Sequence, residues 1–231
     1  MPKALKEKGV TLAKLSSEAW FIGSDAEQRL KEKIEQIGKP LKDWDVKIYR
    51  GVLTGLNEAF IIDTEKRNEI LANCRDEDER RRTEAIIKPI LRGRDIKRYY
   101  YEWAGLWVIV IPAGWTNENR GKEDPEMFIE KIFPSLMQYL KQFEIKARKR
   151  DDQGDYWWEL RPCVYYPEFE KEKVVWQELA QGAQFAYDEV GEYFVSNTGY
   201  VLTGDNLKYI LGYLNSKLNE FSYEKWYCTK L

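Results

Sequence analysis

The sequence predicts an α+β chain, a mixed, β-rich body with peripheral and connecting helices. Apolar residues recur at helical spacing in separate stretches, while runs rich in Val, Ile, Tyr and Trp come in groups and do not alternate one by one with helices. Size and composition agree with this. The 231 residues, 43% hydrophobic and 33% charged, are enough for an ordinary core without disulfides and fit neither a disordered nor a coiled-coil chain.

Ser24 stands before Leu30, Ile34 and Ile37 at helical spacing, and Gly38 followed by Pro40 supplies a stop, so residues 25–37 are expected to be a helix. From Val46 the runs VKIYRGV and EAFIID, separated by Gly51 and Gly55, read as a hairpin. Residues 64–84 are polar and helix-favouring; the stretch IKRYYYEWAGLWVIVIP then returns to strand, with Ala104-Gly105 as its turn. Asp124-Pro125 is an N-cap and first-turn proline for a helix expected to reach about Lys149, bent at Pro134. A polar break at 151–155 leads to the strand-like runs EKVVWQEL, AQFAYDE and YVLTG. Asp205 is the expected cap of a terminal helix carrying Leu207, Ile210, Leu211, Leu214 and Leu218 on one face.

Composition removes much chemistry. Histidine is absent, which excludes Ser-His-Asp and Cys-His nucleophiles and most transition-metal sites, and the three cysteines lack C-x-x-C spacing. No apolar run approaches the roughly 20 residues of a spanning helix and the N-terminus has no signal-peptide core, so a cytoplasmic location without membrane contact is expected. Net charge is -2, yet residues 80–98 carry eight Lys or Arg against Glu84 and Asp95, a basic stripe that would attract phosphate. The 9 Trp, 15 Tyr and 9 Phe exceed what packing requires, so some are expected to face a ligand.

Specific motifs are few. Gly51-Val-Leu-Thr-Gly55 lacks the order of a phosphate loop and is read as a turn. Glu144 and Lys146 with Asp124 make a poor nuclease centre, because residues two apart on a helix do not share a face. Arg80, Arg81 and Arg82 follow three acids and suit an exposed, ion-paired helix. Arg92 and Arg94 around a glycine, with Lys97 and Arg98 before Tyr99, suit contacts to phosphate or guanine equally with a structural role. In Trp157-Trp158-Glu-Leu-Arg161, adjacent Trp residues on a strand would point to opposite faces, one toward a ligand.

Three segments in order, IYRGVLTGLNEAFIID, IIKPILRGRDIKRY and YILGYLNSKLNEF, resemble the target-recognition domain of type IIG restriction-modification enzymes, the TaqI-like C-terminal specificity domain, which is also similar to the recognition subunits of type I systems. The resemblance spans about residues 15–225. It implies sequence-specific recognition of double-stranded DNA, with residues 1–44 as a connector to an upstream catalytic domain and 45–231 as the recognition domain. In the family an adenine-specific methyltransferase using S-adenosylmethionine, often with a Mg2+-dependent nuclease, shares the polypeptide. This sequence shows no [DNS]-P-P-[YF] tetrapeptide, so no cofactor and no catalysis are expected of it alone. Gly51, Gly55 and Asn57 match the first motif, Arg92, Gly93, Arg94, Asp95 and Arg98 the second, and Asn215, Ser216 and Lys217 the third. Asp95 either holds an arginine in place or accepts from a cytosine amino group. The residues expected to meet DNA are Arg50, Thr54, Asn57, Arg92, Arg94, Asp95, Lys97, Arg98, Tyr99, Trp158 and Arg161. The competing expectation is a protein-interaction module with an aromatic surface.

Overall fold

The structure, a computed structural model, describes residues 24–179 and 182–227. Much of the expected connector, residues 1–23, lies outside them. Helix α1 (Asp25–Ile37) begins as expected: Ser24 Oγ accepts from the Glu27 amide at 3.3 Å while the Glu27 carboxylate accepts from the Ser24 amide at 2.8 Å. None of its residues is fully buried.

Two four-stranded sheets make the body. The first, in the order β1 (Val46–Arg50), β8 (Gly199–Gly204), β5 (Lys173–Gln177), β6 (Phe185–Asp188), is antiparallel throughout, with Val46 opposite Gly204 and Val174 opposite Leu202. The second runs β2 (Ile61–Asp63), β4 (Leu106–Ile109), β3 (Ile87–Leu91), β7 (Phe194–Val195), where β7 joins β3 in parallel. The expected hairpin over 46–63 does not form. Strand β1 pairs with β8, EAFIID divides between the short helix α2 (Asn57–Phe60) and β2, and the intervening chain crosses from one sheet to the other. Strand β3, which carries Pro89, was not expected. Pro89 faces Trp107 on β4, and β7 begins only opposite Ile90, so the missing N–H falls where β3 has a partner on one side.

Helices α3 (Thr64–Ala72) and α4 (Glu77–Ile86) occupy the polar stretch as expected, capped by Asp63 and Asp76. After a short α5 (Trp115–Asn119), Asp124 caps α6 (Pro125–Ile132) at 3.0 Å to two amides. Phe133, at φ -130°, breaks the helix before Pro134 and parts α6 from α7 (Pro134–Leu140), because the residue before proline is driven from helical backbone; a 3-10 turn at Lys141–Phe143 then parts α7 from α8 (Glu144–Ala147). The terminal helix is likewise two pieces, α9 (Leu207–Leu214) and α10 (Lys217–Ser222), parted at Asn215 and recapped by Ser216. Asn206 in left-handed backbone, not Asp205, stands at the α9 cap.

The larger core joins both sheets and the helical layer through Phe60, Ile90, Ile109, Leu136, Trp158, Val175 and Val201. A smaller one of Val174, Leu202, Leu207 and Ile210 lies under α9, with Trp44 packed against it. At the paired ends of β5 and β6, Lys173 and Asp188 form a buried pair at 2.6 Å; Lys173 also donates to Phe169 O and Asp188 accepts from the Glu192 and Tyr193 amides, which leaves neither charge short of partners.

Candidate nucleic-acid interface

Strands β7 and β8 lie in different sheets, so Ser196, Asn197 and Thr198 carry the chain between them. Two segments close on this turn, and each uses a glycine to do so. A Cβ on Gly51 would stand 1.9 Å from the Ser196 carbonyl oxygen, and one on Gly93 2.4 Å from that of Thr198. Gly51 N donates to Gly199 O at 2.9 Å, Val52 N to Val195 O at 2.7 Å and Gly93 N to Thr198 Oγ1 at 2.9 Å. The first and second sequence motifs therefore meet against one turn.

Their cations surround it. Arg50 ends β1, donates through Nε to Asn197 O at 3.3 Å and lies 3.5 Å from Glu178, with half its side chain in solvent. Arg161, paired with Asp152 at 3.3 Å, shares a cleft with Arg50, Leu53, Cys163 and Tyr165. Burial, with Cys163 beside it, keeps the Tyr165 phenol above its ordinary value, so its hydroxyl is neutral at physiological pH. Arg92 is fixed by Asp95, which accepts from Nε at 3.0 Å, Nη2 at 2.8 Å and the Arg92 amide at 2.9 Å. Those bonds raise the Arg92 pKa further, and its side chain stays partly exposed. Arg94, on the single turn Gly93–Asp95, is exposed and has no side-chain partner among the described residues. Lys97 folds back on Arg94 O at 2.7 Å, and Arg98 donates to Asn215 O.

Not every expected residue is at this surface. Asp95 is 5% exposed, so of its two roles it takes the holding one. Thr54 is buried, donating to Asn57 Oδ1 at 2.6 Å and accepting from the Leu56 amide; it shapes the chain leading into α2, with Asn57 exposed beside it. Trp158 is corrected outright. Residues 156–159 form a turn and not a strand, both indoles are buried, and Trp158 Nε1 donates inward to Thr116 Oγ1 at 2.9 Å. The Arg80–Arg82 run lies on exposed α4, where Arg81 pairs with Asp78.

The third motif proves to be a clasp. Asn215 Nδ2 donates to Phe185 O at 2.8 Å and its Oδ1 accepts from Phe185 N at 3.1 Å, so the break between α9 and α10 grips β6 while its own carbonyl receives Arg98. Its sequence gave a motif match but no hint of this partner. Among the described residues, no group of three His, Cys, Asp or Glu side chains is placed to hold a metal ion. No described helix is long and apolar enough to cross a membrane.

Arginines from two separate sequence motifs thus stand around one turn between the two sheets. The model of the TaqI-like C-terminal specificity domain matches residues 88–230, more than half of the chain, and the chain belongs to that family of target-recognition domains of restriction-modification enzymes. No curated protein matches it. Among solved structures it is similar in fold to the type IIL restriction-modification enzyme MmeI in complex with DNA, with a TM-score of 0.50 and 12% identity over 79% of this chain. The type IIG restriction endonuclease BpuSI gives 0.45 and 15% over 83%. The chain spans 22% of the length of each of those proteins.

Proposed function

We propose that this chain reads a short sequence in double-stranded DNA for a type II restriction-modification enzyme whose adenine methyltransferase and nuclease domains lie upstream in the same polypeptide, in the cytoplasm. Residues 1–44 are the link to those domains. S-adenosylmethionine and Mg2+ would serve those domains; the residues described here offer no carboxylate cluster for a metal, and no step is assigned to either group in this chain.

The convergence of Arg50 and the Arg92–Arg98 segment on the β7–β8 turn carries this reading. Phosphates are met by exposed Arg50, Arg161 and Arg98 and by half-buried Lys97, which set register and release counterions. Arg92, locked by Asp95, and Arg94, unpaired among the described residues, are left to address base edges, for which arginine's paired donors match the guanine O6 and N7. Holding the duplex steady lets a neighbouring catalytic domain extrude its adenine.

The test is fluorescence anisotropy of the chain with a randomised-core duplex pool at about 50 and 200 mM salt, followed by sequencing of the bound fraction. Enrichment of one short sequence, lost in the double variant Arg92→Ala, Arg94→Ala, is the expected result. A folded chain that ignores duplex DNA at low salt but binds polypeptide regardless of salt would replace this function with an interaction module.

A further inference from the structure

Tyr99 is a bulky residue held at φ +72°, a backbone region that costs energy for any side chain with a Cβ and persists only where surrounding contacts impose it. Here they do. Ile96 and Tyr101 pair across a tight hairpin closed by Lys97 N donating to Tyr100 O at 2.9 Å, so Arg98 and Tyr99 form its tip. A positive φ at the second tip position normally selects glycine or asparagine. The root of the hairpin is anchored by fully buried Ile96 and by Glu102 N donating to Asp95 O at 2.8 Å. Tyr99 N donates to Phe185 O at 2.8 Å, the same carbonyl that Asn215 grips, and Arg98 reaches Asn215 O. Strand β6 and the α9–α10 break thus fix the strained tip from outside.

The result of this constraint is display. Tyr99 is 53% and Tyr100 55% exposed, and among the described residues neither hydroxyl has a hydrogen-bond partner and neither ring has an aromatic one. Tyr101, the next residue, behaves oppositely, with its ring 4.9 Å from that of Tyr193 and partly buried. Around the two displayed rings stand cations: the Arg98 guanidinium is 5.7 Å from the Tyr99 centroid, and Lys97 folds onto the backbone of Arg94.

We propose that this hairpin is an aromatic contact to DNA, in which the Tyr99 ring stacks on a nucleotide whose phosphates Lys97 and Arg98 hold. This deepens the DNA reading of the same loop and rests on it. A rigid, outward aromatic ring flanked by cations is the arrangement that captures an unstacked base or wedges a base step, and stacking is indifferent to base identity. The ring is uncharged, so it adds affinity without releasing counterions.

The experiment uses the whole 231-residue chain and the duplex enriched from the pool, with anisotropy over a salt series and urea denaturation in parallel. Tyr99→Gly removes the ring and relieves the backbone; it is expected to be at least as stable as wild type, to bind about tenfold more weakly, and to keep the wild-type salt slope. Tyr99→Phe, which keeps the ring, is expected to bind within about twofold of wild type. Undiminished binding by Tyr99→Gly overturns the proposal while leaving DNA recognition standing. So does a loss of stability parallel to the loss of binding, which would make Tyr99 a folding residue. A folded wild type that binds no duplex overturns both.

Discussion

Two pairs of adjacent aromatic residues beside arginines, Trp157-Trp158 and Tyr99-Tyr100, look alike in the sequence and are opposite in the fold. Around the Trp pair, Arg150 and Glu159 are turned inward. Buried Arg150 donates to the carbonyls of Thr54, Trp157 and Glu159 and lies 4.3 Å from the Phe60 ring centroid, its pKa pulled down by burial to about 10, still charged at neutral pH. The fully buried Glu159 carboxylate accepts from the amides of Gly114, Thr116 and Asp155 at 2.9 to 3.1 Å. Around the Tyr pair, backbone groups are satisfied and the side chains are left in solvent. Aromatic residues near cations mark a ligand surface only where the rings themselves stay in solvent, as those of Tyr99 and Tyr100 do and those of Trp157 and Trp158 do not.

The Trp side of that contrast breaks most visibly. Trp158→Ala removes a ring stacked 4.9 Å from Tyr156 and orphans Thr116, and should cost about 3–5 kcal/mol in urea denaturation, without changing DNA affinity per folded molecule. Arg150→Met leaves three carbonyls without their donor, for a loss of about 3 kcal/mol by the same measurement; a neutral result would show that the buried charge is dispensable. On the displayed side the signs exchange. Arg94→Ala should alter stability by no more than about 0.5 kcal/mol but weaken duplex binding about tenfold and reduce the salt slope by about one if it also meets phosphate.

The smallest expected effect asks whether saturated carboxylates are general here. Glu79, buried like Glu159, accepts from the Ser135 amide at 2.9 Å, the Arg75 amide at 2.9 Å and Arg75 Nε at 3.1 Å. Burial works to raise its pKa, but those hydrogen bonds together outweigh it and hold the carboxyl below the usual range. Its stabilisation is therefore present above the unfolded value of about 4.3 and lost as pH falls through the lower folded value. Glu79→Gln should be less stable at pH 7 and should lose less than wild type on going to about pH 3. Equal losses on acidification would remove Glu79 from the account.

Local signals were legible where the chain satisfies itself within a few residues. The Ser24 capping box, the Asp124 cap and the runs that became β5, β6 and β8 all depend on neighbours in sequence. Partnerships were not. Arg50 finds Tyr200 across β1 and β8, and no alternation of apolar residues encodes so distant a choice. Strand β3 carries Pro89, whose tolerance depends on where β7 starts. At the interface, Arg92, Arg94 and Arg98 were visible as arginines around a glycine, with Asp95 close enough in sequence to hold one; that Tyr99 is pushed outward depends on Phe185 and Asn215 far along the chain.

The Ser196–Thr198 turn works as the rivet of a caliper. Because Gly51 and Gly93 are pressed on it from two sides with no space for a side chain, the jaws that carry Arg50 and Arg94 are set at one opening and cannot drift apart independently. Base pairs come at a fixed pitch, and an instrument that measures them must not flex. Under the proposed function, the jaw tips meet the DNA while the rivet keeps the gauge true.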